Sequence, residues 1–196
     1  MKRIIIREGQ LNLIDELEPR IKGVIFDFDY TLFNTDEVQD ARSIAKHTKG
    51  TQKEKNAAWV EASKSANKCI PYNGIKELVS YLYKNNIACG IVTFCNALFV
   101  ESALSAAGLP NMRIYSAHRV FRPKSKCMLK FVSELGIKPN ECLSIGDRAS
   151  DGAESQKANI PFIGCSWGNG LDDDRISNGI KSPLDVITYI EKGSAY

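Results

Sequence analysis

No apolar stretch in this chain approaches the length of a membrane span. After Met1-Lys2-Arg3 the apolar run is only Ile4-Ile5-Ile6 before Arg7, too short for a secretory leader. A membrane protein is therefore not expected, and the reading is cytoplasmic. Cysteines at redox or metal spacing are also missing: none of Cys69, Cys89, Cys95, Cys127, Cys142 and Cys165 belongs to a Cys-x-x-Cys pair. Cys89 and Cys142 lie inside apolar runs, which suits reduced thiols packed as small core residues. A strong excess of either sign of charge is missing too. The formal net charge is +3 and the basic residues are scattered, which argues against nucleic acid or an anionic membrane surface as a partner.

What is present is ordinary globular material. A chain of 196 residues, 43% hydrophobic and 25% charged, can bury one core and fits one α/β domain with a modest insertion. Apolar runs at Val24–Phe28, Ala88–Thr93, Arg113–Ser116, Cys142–Ile145 and Pro161–Gly164 read as strands. Helical patterns alternate with them, at Gly74–Asn85, Asn96–Ala107, Ser125–Leu135 and Ser150–Ala158, and Gly108 and Gly136 stand as C-terminal stops. A last helix runs from Pro183 to Glu191 with Ser182 as its N-cap. Alternation of this kind predicts an α/β, Rossmann-like three-layer sandwich, a mostly parallel central sheet with helices on both faces. Ahead of it, Ile4–Ile6 is expected as an edge strand and Leu11–Leu17 as a short helix.

Residues 34–72 interrupt the alternation with two polar helices, Asp36–Lys46 and Gln52–Asn67, around a Lys-Gly-Thr break. The expected organisation is an α/β core of residues 1–33 and 73–196 and a small helical cap of 34–72, inserted after the first strand, over the crevice where such sheets bind ligands. A solvated helical hairpin without functional contact fits the same polar composition.

Four strand ends carry chemistry. In Val24-Ile-Phe-Asp27-Phe-Asp29-Tyr-Thr31 an apolar run stops on two acids. If the strand continues through Asp29, both lie on one side of the pleat, where a bound Mg²⁺ relieves their repulsion. Asp27 suits a nucleophile toward phosphorus and Asp29 an acid-base group. Thr93 ends a second strand and can donate to a phosphate oxygen. Arg122 and Lys124, in Val120-Phe-Arg122-Pro123-Lys124-Ser125, compete for the role of a fixed cation. In Leu143-Ser-Ile-Gly146-Asp147-Arg-Ala-Ser-Asp151, Asp147 can close a metal's coordination and Asp151 can support it directly or through water. Taken singly, the threonine, the basic turn and Asp147 also fit caps and turns.

In order and context these motifs resemble those of the haloacid dehalogenase superfamily, with Asp27-Phe-Asp29-Tyr-Thr31 as the first motif, Thr93 the second, Arg122-Pro123 or Lys124 the third, and Gly146-Asp147 with Asp151 the fourth. Ala158–Gly168 resembles the closing strand and loop of phosphoglycolate-phosphatase-like members, here with a short cap. The resemblance implies Mg²⁺ held by the Asp27 side chain, the Asp29 backbone carbonyl and Asp147, with Asp151 supporting. It implies a Mg²⁺-dependent phosphatase acting on a small phosphorylated substrate through an aspartyl phosphate on Asp27. A phosphomutase, or a phospholigand-binding module with weak chemistry, is the alternative. Two departures are Arg122 in the place of the usual motif-three lysine and the bulky Phe94 after Thr93. A cap this short leaves room for larger substrates or for closure by a second copy in a homo-oligomer.

Overall fold

Val24, Phe26 and Ile25 alternate along one strand, so their side chains leave its two faces in turn, and both faces are covered. The structure is a computed structural model and describes residues 5–7 and 10–12 as backbone, then 21–117, 121–168, 176 and 179–192. Strands β1 (Ile5–Arg7) and β2 (Gln10–Asn12) pair antiparallel in a two-stranded sheet of their own. The expected edge strand on the main sheet is thus a separate ribbon. Leu11 and Asn12 are strand where a helix was expected, and the rest of that expected helix lies outside the described residues.

The main sheet holds β3 (Gly23–Phe26), β6 (Ala88–Thr93), β7 (Arg113–Ser116), β8 (Cys142–Gly146) and β9 (Phe162–Gly164), in the order β7-β6-β3-β8-β9. All four pairings are parallel. On one face Val24, Phe26 and Ile91 pack with α3 (Ile75–Lys84), α4 (Ala97–Ala107) and α7 (Pro183–Lys192). On the other, Ile25 and Val92 pack with Met128, Phe131 and Val132 of α5 (Lys124–Leu135) and with Ala158 beyond α6 (Ala149–Lys157). This is the expected three-layer α/β sandwich. Gly108 and Gly136 end α4 and α5 at φ of 67° and 64°, a conformation that side chains disfavour. The Ser182 hydroxyl accepts from the Leu184 amide at the start of α7.

Between β3 and β6 a short antiparallel ribbon, β4 (Phe33–Asn34) with β5 (Ile70–Pro71), forms the neck of the insertion. Above it a 3₁₀ turn (Asp36–Val38) leads into α1 (Gln39–His47), and α2 (Gln52–Ser63) into a second turn (Ala66–Lys68). Each expected helix is therefore divided, because a tight turn is needed where the chain meets the neck. The two helices pack on each other, α2 also packs on α4, and Ala45, Ala62 and Ala66 join the main core. Among the described residues no helix is long and apolar enough to cross a membrane.

Candidate active site

Phe26 lies level with Ile91 on one neighbouring strand and Ile145 on the other, so three strands finish at the same edge of the sheet. Asp27 follows Phe26, Thr93 closes β6, and Asp147 follows β8. Register alone therefore gathers three of the four sequence motifs at the carboxyl edge, where parallel α/β sheets bind ligands. The Asp27 amide still donates to the Ile145 carbonyl (2.9 Å), which fixes where the loop departs.

The remaining motif, the third, arrives with α5, whose first side chain reaches the same edge. That residue, Lys124, is 5% exposed and places Nζ 2.6 Å from Asp27 Oδ1 and 2.7 Å from Asp151 Oδ1. The Thr31 hydroxyl donates to Asp147 Oδ1 at 3.3 Å. Asp27, Asp147 and Asp151 each bring a carboxylate oxygen within 4.8 Å of the others. Burial, the strongest influence, pushes the Asp27 carboxyl up to about 8, with Lys124 pulling the other way and Asp151 and Asp29 adding to the rise. Burial works against the charge on Lys124, but Asp27 and Asp151 outweigh it and its pKa is raised. Three carboxylates, those of Asp147 and Asp151 buried and that of Asp27 mostly so, against one ammonium leave an excess of negative charge in a poorly solvated place. Hard oxygen donors with that surplus fit a divalent cation such as Mg²⁺. The Asp29 side chain is outside this group.

Asp29 departs from expectation. Strand β3 stops at Phe26, before either acid, so the two are not neighbours on one face of that strand's pleat. Their carboxylates meet different partners. Asp29 accepts from the Thr35 hydroxyl (Oδ1, 2.8 Å) and from both arms of the Arg42 guanidinium, Nη2 reaching Oδ2 at 2.8 Å and Nη1 reaching Oδ1. Arg42 comes from α1 of the insertion. Its guanidinium carbon lies 5.3 Å from the centroid of Phe99 and 6.0 Å from that of Phe28, and its side chain is 12% exposed. Burial opposes its charge, but the bonds and charge of Asp29 prevail and its pKa is raised.

Of the two competing cations, Lys124 is the one brought to the carboxylates. Arg122 is exposed and donates to the Ser116 carbonyl. Thr93 is 1% exposed and its hydroxyl accepts from the Cys95 amide at 3.0 Å, which leaves its own hydrogen to donate. Phe94 lies half-exposed with its ring centroid 5.2 Å from Lys124 Nζ, a cation–π contact at the rim. The Cys95 thiol is buried and pushed up to about 12 by that burial, which makes it a packing residue and not a nucleophile. A cavity of about 360 Å³ opens beside Lys124, lined also by Phe94, Ser150, Asp151 and Lys157, room for a small ligand. A wider depression of about 800 Å³ along α4 shares none of its lining with the acid cluster.

Behind the cluster, the Trp167 indole donates to the Thr31 carbonyl (2.9 Å). A Cβ at Gly168 would stand 2.3 Å from the Tyr30 carbonyl oxygen, so the closing loop can press on the first motif only with glycine there. Arg42 is the residue that sequence reasoning missed. One arginine in a polar helix reads as a solvated face, and nothing in its spacing points back to Asp29.

The family model for haloacid dehalogenase-like hydrolases matches residues 39–165, a span that begins after Asp27 and Asp29. No curated protein matches the sequence. Among solved structures, one described as a predicted phosphoglycolate phosphatase from Haemophilus somnus superposes with a TM-score of 0.64 at 15% identity, covering 86% of this chain and 97% of that one. A candidate beta-phosphoglucomutase from Thermotoga maritima gives 0.64 at 14% identity, with 89% and 100% covered. A hydrolase from Pseudomonas syringae gives 0.62 at 19%, with 88% and 99% covered. At such identities these likenesses speak for the fold.

Proposed function

The chain belongs to the haloacid dehalogenase-like hydrolase family, and on that premise we propose that it is a phosphoric monoester hydrolase for a small phosphorylated metabolite, with Asp27 as the covalent carrier. The observation that carries this reading is the meeting of Asp27, Asp147, Asp151 and Lys124 at the carboxyl edge of a parallel sheet.

Asp27 attacks phosphorus, an oxygen–phosphorus bond forms to its carboxylate, and the bond to the leaving oxygen breaks. Asp29, released from Arg42 and protonated, gives that proton to the leaving oxygen, then takes one from the water that attacks the acyl phosphate and frees inorganic phosphate and Asp27. Lys124 and Thr93 hold phosphate oxygens and offset the charge gathered on the transferring group. Mg²⁺ held by Asp27, Asp147 and the Asp29 carbonyl, with Asp151 in support, would supply Lewis-acid stabilisation of the same oxygens. The insertion of residues 34–72 serves as the lid that excludes water. Lys124 supplies the fixed charge that Arg122 does not, which supports catalysis over a binding-only module. Six free buried cysteines support a reducing, cytoplasmic setting.

The test is a phosphate-ester panel assayed with Mg²⁺ and with a chelator, against Asp27→Asn. Turnover that needs Mg²⁺ and disappears in the variant is expected. Equal rates for the two proteins across the panel would remove the reading.

A further inference from the structure

Both oxygens of Asp29, the proposed acid-base group, are taken by the Arg42 fork, and one of them also accepts from Thr35. To reach a leaving oxygen, Asp29 must give up at least one arm of that fork. Arg42 has little else to turn to. Its side chain is 12% exposed between the insertion and the core, its faces lie against Phe28 and Phe99, and among the described residues its buried Nε has no hydrogen-bond partner. A guanidinium does not shed its charge, and a buried charge that loses its partner costs several kcal/mol.

From this geometry we propose that Arg42 is a specificity residue that accepts a second anionic group, a carboxylate or a further phosphate, carried by the leaving part of the substrate. That group replaces Asp29 in the fork, and the exchange frees Asp29 to face the leaving oxygen. The proposal rests on the phosphatase reading for the role of Asp29. It narrows the substrate to a phosphate ester with another anion near the ester oxygen. A planar fork suits such oxygens bidentately, and its place on α1 puts the recognition in the lid. Esters with neutral leaving groups leave Arg42 bound to Asp29 and are poorer ligands.

The test is calorimetric, in Mg²⁺, with phosphonates that cannot be hydrolysed: ethylphosphonate against 3-phosphonopropionate, and propylphosphonate against 4-phosphonobutyrate, each pair differing by one carboxylate. Wild type should bind the carboxylate-bearing member of at least one pair about tenfold more tightly. In Arg42→Gln that ratio should fall to about one, and in Arg42→Lys part of it should return. Asp29→Asn, which keeps the shape but removes the competing charge, should bind the carboxylate-bearing ligand more tightly than wild type does, a gain that a merely structural arginine would not give. Equal affinities within both pairs in wild type, a preference that survives in Arg42→Gln, or no gain in Asp29→Asn would each overturn the proposal. Should Arg42→Gln fail to fold, Arg42→Lys and Asp29→Asn decide alone. Absence of ester hydrolysis with the preference intact would remove the phosphatase reading and leave Arg42 as an anion receptor.

Discussion

Lys124 and Arg122 differ by two positions and by everything else. One is buried between Asp27 and Asp151, the other exposed on a backbone carbonyl. Lys124→Ala should lower kcat/KM on an aryl phosphate by about 10²-fold or more, whereas Arg122→Ala should change it by less than about threefold, both read from steady-state kinetics. Asp27 gives a prediction in pH. Its folded-state carboxyl is raised from 3.8 to about 8, so as pH climbs through that window the unfolded chain releases a proton that the folded one keeps. The metal-free protein should therefore lose stability from about pH 4 to about pH 8 and level off beyond. On the proposed metal site Mg²⁺ would displace that proton, so the rise in Tm on adding it should be larger at pH 8 than at pH 6. Thermal melts in chelator and in Mg²⁺, with Asp27→Asn as the flattened control, measure both.

At the scale of elements, the site depends on where strands stop and helices begin. Asn96 caps α4, its side-chain oxygen accepting from the Leu98 amide at 3.0 Å just beyond the Thr93-Phe94-Cys95 turn. Asn96→Ala should cost about 1 kcal/mol in urea unfolding, the usual loss for an N-cap. The start of α4 was legible in the sequence to within one residue, with Asn96 read as its first position, because the signal is local: an apolar 3.6-residue pattern. Gly108, Gly136 and Ser182 were legible for the same reason. Where β3 ends was not legible. Asp27-Phe28-Asp29 alternates as a strand would, and only the tertiary setting turns the chain at Tyr30 and sends Phe28 against Phe33 and Phe99. The split of each insertion helix into a 3₁₀ turn and an α-helix was hidden likewise, since the neck ribbon that forces it pairs residues far apart in sequence.

For the whole molecule, the layer under the sheet formed with α5 and α6 rests on Phe131. It is fully buried and meets Tyr115 edge-to-face at 6.2 Å. Phe131→Ala should cost about 3–5 kcal/mol by urea or thermal unfolding, from lost transfer energy and the cavity left behind. Because α5 carries Lys124 at its first turn, loosening that layer should also weaken activity measured well below the melting range.

The sequence by itself determined the α/β sandwich, since periodicity and helix stops are local and repeat along the chain. It also determined the three motifs at the ends of β3, β6 and β8, because register brings the ends of parallel strands to one edge. The tertiary structure alone decided that Lys124 and not Arg122 meets the carboxylates, that Asp27 and Asp29 face different partners, and that Arg42 of the insertion holds Asp29. Each of those is a contact between segments distant in sequence, set by the packing of helices on the sheet, and a contact of that kind leaves no period or spacing to read.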